Sequence, residues 1–533
     1  DIHLDPSVQQ EFKEASDPKF LRIFGSIAIL IVIIAAINFM NLSTAQASRR
    51  AKEVGIKKVA GSTRGMLVSQ FLAESFILSI ISMVTALIIV KVTLPYFNNL
   101  LGASLGLNLL ASWYIIPVLI LFTVVVGLLS GSYPALFLSS FNPYEVLKGS
   151  VKNSMQNGRL RRVMVVFQFT VSILLIVGTM VMFRQIRYML NKDVGFKKEQ
   201  LIVINRAGAL GPRVKAFKEA AREIPGVVNI TSSTAVPGRN NNNNGYMLEG
   251  RKDESFLMQT NWVDYDYLET YGMTLAEGRF FDESHTTDRD ACIVNESAAR
   301  DFEIKNISQT RFMRPGGENS VQYLQVIGVV KNFNHESLRN PIQPYILCFK
   351  NDDQLWGYLT VKLSPQNYSE TITEIENLWK EFTANNPLQY YFLDEDFENM
   401  YIQEKQNAQM AVIFSILAIF IAGLGLFGLT SFTVEQRTKE IGVRKAMGSS
   451  VAGIYMVISR EVIILVSLSA LIAWPLIYFV ADKWLENFYY RIDLGVFTFV
   501  AGLAIALTTA LLTISYRIVR AARINPAQSL KYE

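Results

Sequence analysis

Gln436–Ser449 reads QRTKEIGVRKAMGS, a short charged stretch with long apolar runs on both sides. Slid back along the chain, it meets a near copy, RRAKEVGIKKVAGS, at residues 49–62. In one ungapped frame Arg50, Lys52, Glu53, Gly55, Lys58, Gly61, Ser62 and Glu74 fall on Arg437, Lys439, Glu440, Gly442, Lys445, Gly448, Ser449 and Glu461. The same glycine and glutamate positions recur in both, so the pair is read as an internal repeat, which organises the rest of the chain.

Working outward, half the residues are apolar and only 18% are charged, a balance that points to membrane spans beside a soluble part. Apolar runs at about 20–45, 66–94, 113–138, 163–183, 411–432, 454–480 and 494–514 are each long enough for a helix to cross a hydrocarbon core of ~30 Å. Between the fourth and fifth, residues 184–406 have soluble character. LIVIN (201–205) and YLTVKL (358–363) read as strands, and 214–224 and 371–382 as helices. The Asn240–Asn244 tract reads as a loop. The expected architecture is a multi-pass α-helical membrane protein of seven spans with an α+β extracytoplasmic domain and an internal repeat. Its parts are expected at 1–18 (the tail of an outer domain), 19–150 (a three-span module), 151–185 (linker and fourth span), 186–406 (the outer domain) and 407–533 (a second three-span module).

Lys and Arg cluster at 49–58, 148–162, 437–445 and 517–531. Counting crossings puts these clusters on one face, which the positive-inside rule makes cytoplasmic. The large domain and the Lys/Arg-free loop 95–112 then lie outside, although Arg184, Arg187, Lys483 and Arg491 also sit at that outer level. Residue 1 also falls outside, and the sequence has no starting Met. An eighth span and a first outer domain are therefore expected upstream in the complete protein. A net charge of +5 over 533 residues gives little support for nucleic-acid binding.

Each repeat segment carries its charges at helical spacing. Arg437, Glu440 and Arg444 stand at i, i+3 and i+7, as do Arg50, Glu53 and Lys57. Val443, Ala446 and Met447 form an apolar stripe alongside, matched by Ile56, Val59 and Ala60. Gly61 and Gly448 suit the left-handed position that ends a helix, and Ser62 and Ser449 are placed to cap the next span. Gly55 and Gly442 sit inside, where glycine costs ~1 kcal/mol, and a bend is expected there. A basic amphipathic helix on lipid head groups is the plainer reading, but two matched copies favour docking of a partner. Glu74 and Glu461 are candidate intramembrane carboxylates, with a place at the interface near a helix start preferred.

Other chemistry finds little support. No G-x-x-x-x-G-K-[ST] phosphate loop occurs, so the chain is expected not to hydrolyse ATP. His3, His285 and His335 are too scattered for a metal cluster. His335-Glu336 begins like H-E-x-x-H, but Arg339 holds the second ligand position. No metal or cofactor is expected in the chain. Cys292 and Cys348 read as two buried thiols, with a single bridge the alternative.

The second copy resembles the E-I-G-x-R-K-A-x-G signature of MacB/FtsX-type ABC transporter permeases, in Glu440, Ile441, Gly442, Arg444, Lys445, Ala446 and Gly448. The first copy keeps Glu53, Gly55, Lys58 and Gly61 and departs at Val54 and Lys57. NPYEVLK (142–148) and NPAQSLK (525–531) are similar to the family's closing motif. PGVVNITSSTAVPG, YLETYGMTLAEGRFF, ACIVNESAAR and VIGVVKNFNHESL resemble its extracytoplasmic domain. The resemblance implies a duplicated permease in a bacterial inner membrane whose two short helices, at 50–61 and 437–448, dock cytoplasmic ABC ATPase subunits, two per chain. ATP and Mg would be held by those partners, and their closure would be passed to the outer domain as movement. A periplasmic adaptor or substrate protein is a further implied partner. The alternative is a membrane-bound sensor or regulator of envelope proteins.

Overall fold

The computed structural model describes residues 18–102, 105–107, 113–140, 155–239, 242–315, 321–351, 356–384 and 386–523. Residues 1–17 of the tail expected at 1–18, and the NPYEVLK and NPAQSLK motifs, lie outside the described residues, while Pro18 opens the first helix. Two units are formed, one from the membrane helices and one from residues 185–403 with 485–492.

Four helices come first: α1 (Pro18–Val59), α2 (Arg64–Leu101), α3 (Ile115–Ser139) and α4 (Met155–Asn191). Three close the chain: α10 (Ile402–Gln436) and, beyond the short α11 (Thr438–Ala446), α12 (Val451–Leu485) and α13 (Val496–Arg523). Seven of these are long and apolar enough to cross a membrane, as the sequence predicts. A helix satisfies its own backbone polar groups, which hydrocarbon cannot do. Their packing uses small residues. A Cβ at Gly131 of α3 would lie 2.6 Å from the Ser75 Oγ of α2, so glycine there permits the close approach of the two helices.

The soluble unit follows the membrane helix α4 with β1 (Leu201–Asn205), α5 (Val214–Arg222), β2 (Val227–Ser233), β3 (Asn242–Leu248), β4 (Arg251–Val263), α6 (Tyr267–Tyr271), β5 (Leu275–Gly278), β6 (Ala291–Asn295) and α7 (Glu296–Asp301). It continues with β7 (Arg311–Pro315), β8 (Val321–Val330), β9 (Tyr345–Phe349), β10 (Tyr358–Leu363), α8 (Tyr368–Phe382), β11 (Tyr390–Phe392) and α9 (Leu393–Asn399). The sheet runs β11-β1-β10-β2-β4, and its first layer is buried on both sides. Ile202 and Ile204 pack with Phe217 of α5 and Trp379 of α8, while Leu201 and Val203 pack with Tyr267, Tyr271 and Phe397. That double burial is why LIVIN reads as an unbroken apolar run.

Beyond β4 the pairings β4-β3-β7-β8-β6-β9 return to β4, so six strands close on themselves. Alternate residues fill the interior: Tyr246, Met258, Phe312, Leu324, Val294 and Ile346 represent the six strands there. Cys292 and Cys348 are register partners across β6 and β9 and are both free and buried. The asparagine tract departs from its loop reading. Asn242, Asn243 and Asn244 are strand residues of β3, opposite Thr260, Gln259 and Met258. The pairing overrides the low strand propensity of asparagine.

Residues 485–492, the turn between α12 and α13, pack as part of the soluble unit. The amides of Tyr489 and Tyr490 donate to the carbonyls of Arg339 and Leu338 at 3.0 and 3.3 Å. Gln185 grips the turn with both ends of its amide, donating to the Tyr490 carbonyl at 2.8 Å and accepting from the Ile492 amide at 2.9 Å.

His335 is 3% exposed, with its ring 4.7 Å from that of Tyr345 and 6.1 Å from that of Phe333. Burial, only partly offset by the Glu336 carboxylate, pushes its ring down from 6.5 to about 4. The unfolded chain therefore takes up the proton first as pH falls. Stability of the soluble unit should be complete above about pH 6.5 and decline until about pH 4, a loss of about 3 kcal/mol. Hydrogen exchange of β9 amides, corrected for intrinsic rates, checks this. His335→Phe should flatten the acid limb, and an unchanged limb would assign it to other groups.

Candidate functional site

The two repeat segments adopt the same local structure. Glu53–Gly61 and Glu440–Gly448 have the same sequence of exposed, buried and intermediate residues at all nine positions. The anchors are Val54 and Ile441, 1% and 7% exposed, with Gly55 and Gly442 buried beside them. Val54 packs with Leu67 and Phe71 of α2 and with Ala135 and Leu138 of α3.

Both segments end alike. Gly61 and Gly448 have φ of +98° and +90°, the left-handed region. The Ser62 amide bonds the Lys57 carbonyl at 2.9 Å and the Gly61 amide the Lys58 carbonyl at 3.1 Å. The Ser449 amide bonds Arg444, and that of Gly448 bonds Lys445, both at 3.0 Å. These paired bonds satisfy carbonyls that the helix end would otherwise leave open. The caps of the next helices lie one residue beyond the expected serines. The Thr63 hydroxyl accepts from the Met66 amide at 3.4 Å, and Ser450 accepts from Gly453 at 3.1 Å. Ser62 and Ser449 are occupied in closing the preceding turn, so the following residue is the first one free to cap.

The bend expected at the internal glycines is absent. α1 runs unbroken through Gly55 to Val59, and Gly442 lies within α11. In the second copy the break falls at Arg437, with φ −95° and ψ 12°. Both glycines are buried within helices that continue past them.

The charges are paired within each segment. Lys57 reaches Glu53 at 2.8 Å, and Arg444 reaches Glu440 at 2.8 Å, each across one helical turn. The Lys57 ammonium holds the Glu53 carboxyl below its ordinary range. Exposed pairs of this kind contribute only ~0.3–0.5 kcal/mol, so they orient side chains more than they stabilise. Lys58 and Lys445 are half-buried on the opposite side of the stripe. The stripe itself is open in both copies: Ile56 and Val59 are 61% and 68% exposed, Val443 and Met447 45% and 75%.

Glu74 and Glu461 each hold an arginine, but from different places. Arg50 meets Glu74 at 2.6 Å, and Arg162 of α4 meets Glu461 at 2.9 Å. Gln70 links Lys57 at 3.2 Å to Glu74 at 3.3 Å, tying the first segment to α2. Its counterpart in α12 is Val457, and that tie is lost. Both carboxylates are about two-fifths exposed, ten residues into their helices. Arg162 was visible in the sequence as part of a basic cluster. Its partner, 299 residues away, was not.

A model of the FtsX-like permease C-terminal domain matches residues 25–143 and 412–526, the two helical modules. The MacB-like periplasmic core domain model matches residues 166–378. An uncharacterized ABC transporter permease, YknZ of Bacillus subtilis, is 32% identical over 127 residues, covering 24% of this chain and 31% of that protein. A macrolide export ATP-binding/permease protein, MacB of Neisseria meningitidis, is 22% identical over 288 residues, covering 50% of this chain and 42% of its own length. The matches thus span less than half of either relative. Among solved structures, the periplasmic region of MacB from Actinobacillus actinomycetemcomitans aligns at 16% identity and a TM-score of 0.29, over 40% of this chain and 97% of that one.

The shared helix ending gives a direct test. Open space surrounds both Gly61 and Gly448, so Gly448→Ala should cost only the left-handed backbone term, about 1–2 kcal/mol. Exchange of the Ser449 amide should quicken by roughly five- to thirtyfold, and Gly448→Asn, which tolerates that conformation, should recover most of it. Equal exchange in all three proteins would remove the glycine from the helix ending.

Proposed function

Two FtsX-like permease modules around a MacB-like periplasmic core domain make this chain a member of the MacB/FtsX-type ABC transporter permeases, and on that premise we propose that it couples a separate ATPase to movement of its periplasmic domain. The ATPase subunits dock on the segments 50–61 and 437–448 at the cytoplasmic face of the bacterial inner membrane, one on each. ATP and Mg belong to those subunits. Their closure moves the helices, and the periplasmic domain, read as residues 186–406, changes position in response. The work done is export or extraction of a substrate from the envelope, with a periplasmic adaptor or substrate protein as the outer partner.

The observation that carries this reading is the matched open stripe. Ile56 and Val443 are exposed at matching positions, and Val59 in one copy and Met447 in the other extend the open apolar surface from neighbouring positions. An ion pair of the same polarity borders each stripe. A stripe that served only to bury itself in the chain's own core would be covered. The relatives are named as ABC permease components, which supports an ATPase as the covering partner.

The experiment exploits the internal pairing. Swapping both charges, as in Glu440→Lys with Arg444→Glu, keeps an ion pair across the turn while inverting the face offered to a partner. Co-purification of co-expressed ABC ATPase subunits should fall by at least about tenfold in the swapped protein. It should fall further when Glu53→Lys and Lys57→Glu are added. Unchanged recovery with all four substitutions would overturn the docking assignment.

A further inference from the structure

The repeat breaks its own symmetry at position 73. In α2 that residue is Ala73; the corresponding residue of α12 is Arg460. Ala73 and Ile77 in one module, and Arg460 and Ile464 at the matching positions of the other, each border a groove of about 320 Å³. In the first module its walls are apolar, formed by α2 and α3, with Phe76 and Ile77 among them. In the second module Val457, Ile464 and Leu465 share the lining with Arg162, Arg460 and Glu461.

The depth of this second cavity is set by its ion pair. Arg162 directly precedes the apolar run 163–183 of α4, and it holds Glu461 at 2.9 Å. The pair therefore sits at the basic end of that run. Ile464 and Leu465 lie about one turn deeper, toward the bilayer centre. Arg460 is exposed and has no ion-pair partner among the described residues. Two guanidinium groups against one carboxylate leave the polar end of the cavity with one net positive charge.

We propose that this cavity binds an anionic glycerophospholipid, with its phosphate between Arg460 and Arg162 and one acyl chain along Ile464 and Leu465. A guanidinium offers paired N–H donors that match phosphate oxygens. The apolar wall below it follows the direction an acyl chain takes from its head group. The first module, with Ala73 in place of Arg460, lacks the cationic end and supplies an internal comparison.

The test uses the full chain in nanodiscs of equimolar phosphatidylglycerol and phosphatidylcholine, with retained lipid counted by native mass spectrometry. Phosphatidylglycerol should be enriched in the retained pool, and Arg460→Gln should cut that enrichment about fivefold. An exposed side chain is replaced, so folding is not at issue. The same enrichment in both proteins overturns the proposal. Addition of millimolar inorganic phosphate separates the lipid from its head group alone. Retention of the lipid supports the acyl contact, whereas its displacement overturns the lipid assignment in favour of a simple phosphate site.

Discussion

Hydrocarbon accepts neither an unpaired backbone group nor an unpaired charge, and the organisation of the membrane unit follows from that. The backbone responds by forming seven long helices. The charges respond by collecting between them, in the segments that the repeat marks. Glu74 and Glu461 show the rule at its boundary. Each stands ten residues into its helix, and each is held by an arginine, so neither carboxylate is left as an unpaired charge.

Much of this was legible in the sequence because its determinants are local. Apolar run length gives the spans, and short apolar runs give LIVIN and YLTVKL, whose strands have the expected limits. Gly61 and Gly448 announced the left-handed ends because only glycine adopts that backbone without strain. What escaped reading depends on partners remote in sequence. The asparagine tract becomes a strand because β4 pairs with it, and closure of six strands into a ring needs the β4–β9 contact. Arg162 and Glu461 meet across the whole soluble domain. The bend expected at Gly55 and Gly442 failed for a related reason. Propensity counts the cost of a helical glycine, but not the packing its missing side chain allows.

The two modules are alike in their repeat segments and unlike in how these are tied down. In the first, Arg50, Glu74, Gln70, Lys57 and Glu53 form one connected set of contacts between the segment and α2. In the second, the chain of contacts is cut where Gln70 gives way to Val457, and Glu461 turns to α4. A duplicated architecture has thereby acquired two non-equivalent halves through a few side chains, with the glycine endings of the segments unchanged.

The uninterrupted course of α1 has a mechanical corollary. Its 42 residues make one rod about 63 Å long, with the segment 50–59 as its last turns. A helix resists torsion through every hydrogen bond along its length, so a twist applied at that end acts on one continuous rod. The second segment is set off from α10 by the break at Arg437, where one residue leaves the helical backbone. A torque applied to the first segment would meet one continuous helix, and the same torque applied to the second would meet a joint at Arg437.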